Sequence, residues 1–173
     1  MSGPVRTLAF LPGEARIWAL NPFLDRRACF DQYYHYTFTK RFGWPKGFAW
    51  LVSGVLSLVI PPFVRSFGAI PVYRGHSEIQ KTMPLSLEAL LRGEDVVICP
   101  DVDYANPSPE MGQVYMGFIK LEPLYFEATG EHLSFVPTYC SDTQRKLLTG
   151  APVVFRDEES FREGRKRVGA ALR

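Results

Sequence analysis

Two short apolar segments lie one helix-length apart in this chain. The first is Gly68-Ala69-Ile70-Pro71-Val72-Tyr73-Arg74; the second is Asp95-Val96-Val97-Ile98-Cys99, which runs into Pro100-Asp101. Strand, crossover helix and parallel strand is the unit this spacing predicts, and such a crossover is almost always right-handed. It brings the residues just past both strand ends to one rim of the sheet, where open α/β sheets bind ligands. Arg74 and Asp101 are therefore expected on the same edge. Further alternation of strand-like and helix-like segments predicts an α/β domain, its mostly parallel sheet flanked by helices.

At 173 residues the chain suits one domain, expected to cover 1–173. Its net charge of +2 argues against a strongly basic nucleic-acid binder, so no nucleic-acid partner is expected. Three cysteines, Cys29, Cys99 and Cys140, lie far apart without C-x-x-C spacing. That favours neither a disulfide framework nor a zinc site, and predicts a reducing, cytoplasmic setting. Met1 to Phe10 lacks the apolar core of a signal peptide, and no run supplies the ~20 apolar residues of a spanning helix.

Taken in order, Ala15 to Leu20 reads as a strand. Asn21-Pro22 reads as a helix start, with Asn21 as N-cap, Pro22 at the first helical position and a helix to about Arg41. Tyr33, Tyr34, His35 and Tyr36 give that helix a partly buried, partly interfacial aromatic face. Phe48 to Ile60 is apolar on every side and is expected to end at Pro61-Pro62. It has two readings: a helix buried in the domain, or one dipping into a membrane surface with Trp44, Trp50 and Lys46 near the headgroups. Ser77 and Gln80 form a capping-box pattern ahead of a helix closed by Gly93, with Pro84 expected to kink it or move its start. Asp101 to Gly112 reads as a loop, and Val114 to Ala128 as a helix ending near Gly130. Ser134 to Tyr139 and Pro152 to Phe155 read as further parallel strands. A basic tail helix, Glu158 to Arg173, carries Arg162, Arg165, Lys166 and Arg167, the usual pattern of a solvated face, with attraction to anionic lipid as the lesser reading.

Three chemistries fit Asp101-Val102-Asp103 after an apolar strand. Turn chemistry is the first. A divalent-metal Asp-x-Asp site is the second, and a phosphatase with Asp101 as nucleophile the third, although Asp142 and Asp157 make no second acidic pair. The turn outranks the metal, and no metal site is assigned. Arg74 at a strand end can clamp a phosphate through its planar fork, or form an ordinary rim ion pair. Neither G-x-x-x-x-G-K-S/T nor G-x-G-x-x-G occurs, and no cofactor is expected. No G-x-S-x-G elbow occurs either. His35, His76 and His132 have no acidic partner at a useful sequence spacing, and Cys99 in an apolar run reads as packing.

The segment Gly68 to Arg74 resembles the Gly-x-Ile/Phe-x-x-x-Arg block of the glycerol-phosphate and lysophosphatidic acid acyltransferases. Val97-Ile98-Cys99-Pro100-Asp101 is similar to that family's apolar run into Phe-Pro-Glu-Gly-Thr-Arg. Gly117-Phe118-Ile119-Lys120 and Phe135-Val136-Pro137 resemble its following helix and apolar-Pro strand, so the likeness covers residues 15 to 160 in order. It implies a glycerolipid-acyltransferase-like fold and acyl transfer from acyl-CoA or acyl-carrier protein to a hydroxyl of glycerol phosphate or a lysophospholipid. The acceptor would be bound by Gly68, Tyr73, Arg74, Pro100, Asp101 and Asp103, peripherally at a membrane through Phe48 to Ile60. Two departures stand out. Asp101-Val102-Asp103-Tyr104 replaces Glu-Gly-Thr-Arg and makes a poor cradle for a dianion. The catalytic His-x-x-x-x-Asp is missing: Lys40, Lys81 and Pro137 stand five residues after the three histidines. The expectation is an N-terminally incomplete domain with no catalytic residue of its own. An Asp-x-Asp metal-dependent phosphatase or glycosyltransferase fragment and a non-catalytic peripheral lipid-binding module are the alternatives.

Overall fold

The computed structural model describes residues 14–73, 79–100, 115–141 and 146–172. Strands β1 (Ala15–Leu20), β2 (Ile70–Val72) and β3 (Asp95–Val97) form a three-stranded parallel sheet in the order β2–β1–β3. β1 pairs with β2 in the register Trp18↔Ile70, Ala19↔Pro71, Leu20↔Val72. The two strands singled out in the sequence therefore flank β1 instead of pairing with each other. By compactness the chain divides into two units, Ala15–Leu85 and the remainder.

In the first unit, β1 leads into a 3-10 turn, Asn21–Phe23, and then helix α1 (Arg26–Asp31). The N-cap is Asp25, not the expected Asn21: Asp25 Oδ1 accepts the Ala28 amide at 2.9 Å, while Asn21 makes no side-chain cap. Both residue types cap well, and geometry selects the one whose carboxylate reaches the N3 amide. From Gln32 to Arg41 the helix widens to π geometry, a rare form. The Thr37 hydroxyl donates to the Gln32 carbonyl five residues back, as that wider turn allows. Ring packing accompanies it. Tyr33 stacks on Phe38 at 5.6 Å, and Phe38 on Trp44 at 4.5 Å with planes 5° apart.

Helix α2 spans Lys46–Ser66 and passes straight through Pro61 and Pro62, so its expected end at Ile60 is corrected by six residues. Proline's fixed φ is itself helical; the pair removes two amide donors without forbidding the trace. Pro61 is buried, which lets packing hold the turn. α2 ends through the Gly68 amide, which donates to the Arg65 carbonyl at 3.0 Å, and Gly68 takes φ +60°. Helix α3 (Ile79–Leu91) keeps Pro84 inside it. The buried Thr82 hydroxyl donates to the Pro71 carbonyl of β2 at 2.8 Å, tying this helix to its strand. Ser77 lies outside the described residues.

In the remainder of the chain, the expected helix ending near Gly130 is a 3-10 turn, Gly117–Lys120, followed by α4 (Leu121–Thr129). Pro123 stands in its first turn, where an amide has least to donate to. Gly130 closes it at φ +75°. The two further parallel strands are overturned. Thr138–Ser141 (β4) pairs antiparallel with Lys146–Thr149 (β5), and Phe135 with Val153 forms only an antiparallel bridge. A short apolar run does not reveal its partner's direction, because β propensity is the same for both pairings. α5 (Phe161–Ala171) starts at a full capping box between Ser160 and Glu163. Phe118, Phe135 and Phe155 of this core and the exposed Phe161 form a row of rings 5.8–6.4 Å apart.

Candidate functional site

Of the residues expected to bind an acceptor, Gly68, Tyr73 and Pro100 are described; Arg74, Asp101 and Asp103 lie outside the described residues. Gly68 has a conformational task. A Cβ there would sit 3.5 Å from Arg16 Cγ, ordinary contact distance, so the positive φ is what demands glycine. Tyr73 follows β2 half-buried, with Lys81 Nζ 5.4 Å from its ring centroid. Lys81, in the first turn of α3, thus brings a cation beside the residue that precedes Arg74. The Pro100 carbonyl accepts the Tyr115 amide at 2.8 Å, a contact that holds the two described ends of the 101–114 segment together.

Histidine reading from spacing missed a tertiary cluster. His132 Nδ1 lies 2.5 Å from Glu122 Oε1, and Nε2 lies 3.0 Å from Asp157 Oδ1. The second oxygen of buried Glu122 accepts the Leu133 amide at 2.8 Å. The Glu122 carboxylate on Nδ1, helped by Asp157 on Nε2, holds the imidazole pKa above its ordinary value. When protonated, the ring donates from both nitrogens to these two acids. It clamps α4 to the Asp157 turn. The partners stand 10 and 25 residues away, so no local motif could have found them.

Cys29 is fully buried, and burial, with Asp25 adding to it, pushes its thiol up to about 11. It is packing. Among the described residues no three His, Cys, Asp or Glu side chains form a group able to hold a metal ion. The basic tail resolves into exposed Arg162, Arg165 and Lys166, with Arg167 turned inward onto Glu159 at 2.5 Å and the Val154 carbonyl at 2.7 Å.

The most unusual surface belongs to α2. Its buried stripe is small and partly polar: Ala49, Ser53, Ser57 and Pro61, at four-residue spacing. Its large apolar residues face outward, with Trp50 60%, Leu51 57%, Val55 56% and Val59 56% exposed. A soluble amphipathic helix shows the reverse. α1 and the π-helix pack on α2, leaving an open groove of about 890 Å³ lined by Arg26, Arg27, Phe30, Trp50, Leu51 and Val55, among others. Phe30 and Trp50 meet edge-on at 6.4 Å across it.

No protein-family model, no curated protein and no solved structure matches the chain.

Proposed function

We propose that this chain is an acyltransferase-type domain of glycerophospholipid metabolism that works peripherally at the cytoplasmic face of a membrane. The acyl group would come from acyl-CoA or acyl-carrier protein, and the acceptor would be glycerol phosphate or a lysophospholipid. The observation that carries this reading is the inverted helix α2, whose large apolar side chains face outward while serines and small residues face in. A face of that size needs an apolar medium, and lipid substrates supply one. The order of sequence blocks from Gly68–Arg74 through Phe135–Pro137 supports the enzyme family. The acceptor contacts that the resemblance implies, Gly68, Tyr73, Arg74, Pro100, Asp101 and Asp103, belong to the same proposal.

Acyl transfer needs a base to take the proton as the acceptor hydroxyl attacks the thioester and the donor thiol leaves. His132 is committed to two carboxylates, and no histidine in the chain has an aspartate five residues on. The role proposed for these 173 residues by themselves is therefore substrate binding without turnover.

The test incubates the purified chain with an acyl-CoA and lysophosphatidic acid on phosphatidylcholine vesicles, measuring retained lysophospholipid and acylated product together. Saturable retention without product is the expected result. Formation of phosphatidic acid with release of CoA would show the chain to be catalytic, and retention no better than that of lysophosphatidylcholine would remove the acceptor reading.

A further inference from the structure

The length of α2 alone leaves its relation to a membrane open. Its 21 residues rise about 31 Å, close to the ~30 Å hydrocarbon core of a bilayer. The sheet decides otherwise. β1 ends at Leu20 just before the helical hairpin and β2 begins at Ile70 just after it, and the two strands are hydrogen-bonded neighbours with Leu20 opposite Val72. A helix that crosses a bilayer once leaves its two ends on opposite sides. To bring the chain back to β1, residues 21–45 would have to cross as well. They carry Asp25, Arg26, Arg27, Asp31, His35, Lys40 and Arg41, too many charges for a second span. α2 therefore does not cross a bilayer as a single span.

Charge complements the apolar face. Residues 25–66 hold six Lys and Arg against two Asp, in a chain whose totals are nearly balanced at 20 and 18. Arg26 and Arg27 are exposed at the rim of the groove whose wall is Trp50, Leu51 and Val55. Neither has an ion-pair partner among the described residues. Asp25 lines the same rim, with Oδ1 accepting the Ala28 amide. A cationic rim above an outward aliphatic and indole wall matches a phospholipid with its phosphodiester at the rim and its chains on the wall.

We propose that the α1–α2 hairpin is an in-plane seat for one leaflet containing anionic phospholipid, with Arg26 and Arg27 on the headgroups and Leu51, Val55 and Leu58 among the acyl chains. This deepens the membrane-surface reading above and rests on it. Attraction of basic residues to an anionic surface sets the scale: losing both arginines weakens binding on the order of thirtyfold.

The experiment floats the full chain with vesicles of phosphatidylcholine alone or mixed with phosphatidylglycerol. It compares wild type, Arg26→Gln/Arg27→Gln and Leu51→Glu/Val55→Glu, with circular dichroism to verify folding. Preferential flotation with the mixed vesicles, weakened by the arginine pair and abolished by the glutamate pair, is expected. Equal flotation with both vesicles, unmoved by the arginine pair, overturns the anionic seat while leaving a membrane role; no flotation with either removes the membrane role itself. Free glycerol phosphate added in excess should not displace the chain, and displacement would mean a small-anion site instead of a bilayer. Orientation is read on bound Gly47→Cys and Ser66→Cys, both exposed at the ends of α2, with a membrane-impermeant maleimide and mass mapping. Labelling of both from outside supports the in-plane seat, whereas protection of one end shows a span and overturns it.

Discussion

Glu122 binds His132 Nδ1 with one carboxylate oxygen and the Leu133 amide with the other, at 2.5 and 2.8 Å. One buried side chain on α4 thereby fixes both the ring and the backbone of the turn that follows Gly130. The ring reaches on to Asp157, so three segments distant in sequence converge on one imidazole.

Glu122→Ala should lower unfolding free energy by about 1.5–3 kcal/mol, the range for hydrogen bonds to charged groups. The larger penalty of a fully buried broken ion pair does not apply, because His132 is partly exposed and can shed its proton. The raised pKa of His132 sets the pH dependence. Its stabilisation is complete below the unfolded value of about 6.5 and is lost as pH rises through the higher folded value. Urea midpoints measured from pH 5 to 9 should decline in wild type over that window and flatten in His132→Gln. A wild-type profile that rises there would contradict the clamp.

Glu159 gives the opposite slope. The Arg167 guanidinium, aided by the Arg156 amide, holds its carboxyl down at about 2. Its contribution is present above the unfolded value near 4.5 and is lost as pH falls from there toward 2. Glu159→Gln should reduce the melting temperature at neutral pH and remove part of the acid-side decline. Identical acid limbs in the two proteins would count against the pairing.

Two glycines of α5 separate backbone propensity from packing. A Cβ at Gly164 would lie 2.4 Å from the Phe155 ring, which is buried in the aromatic row. At Gly169 the close atom among the described residues is Met116 Cε, also at 2.4 Å, the free end of a flexible side chain. Alanine gains about 1 kcal/mol of helix propensity at either position. Overpacking costs about 1–3 kcal/mol where the neighbour cannot move. Gly164→Ala is therefore expected to destabilise and Gly169→Ala to be neutral or stabilising, as chemical denaturation will reveal.

Two serines on the buried stripe of α2 should also diverge. The Ser57 hydroxyl donates to the Gly54 carbonyl at 2.8 Å, whereas the Ser53 hydroxyl is buried with no hydrogen-bond partner among the described residues. Ser53→Ala removes an unpaired polar group and should stabilise by about 1 kcal/mol; Ser57→Ala should cost about as much. Equal effects from both would mean that Ser53 finds a partner in solution.

Local chemistry carried much of this protein. The alternation of apolar runs and helical spacing predicted an α/β chain, and Gly93, Gly130 and the tail helix stand where their residue types demand. The all-round apolarity of Phe48 to Ile60 was equally plain in one dimension. What it could not contain was which side of that run would be covered. The fold buried the small residues Ala49, Ser53 and Ser57 and left Trp50, Leu51 and Val55 outward.

Strand direction and the passage of α2 through Pro61-Pro62 were likewise tertiary decisions. Each depends on a partner that sequence spacing does not name. The opening pair of apolar segments became β2 and β3 as expected, yet with β1 between them. His132 makes the same point at a single side chain. Its residue type announced a titratable ring, but only the fold brought Glu122 and Asp157 to its two nitrogens and made it a clamp. Sequence determines which groups can interact; distance in the folded chain decides which do, because hydrogen bonds and charge pairs act over a few ångströms however far apart their residues are written.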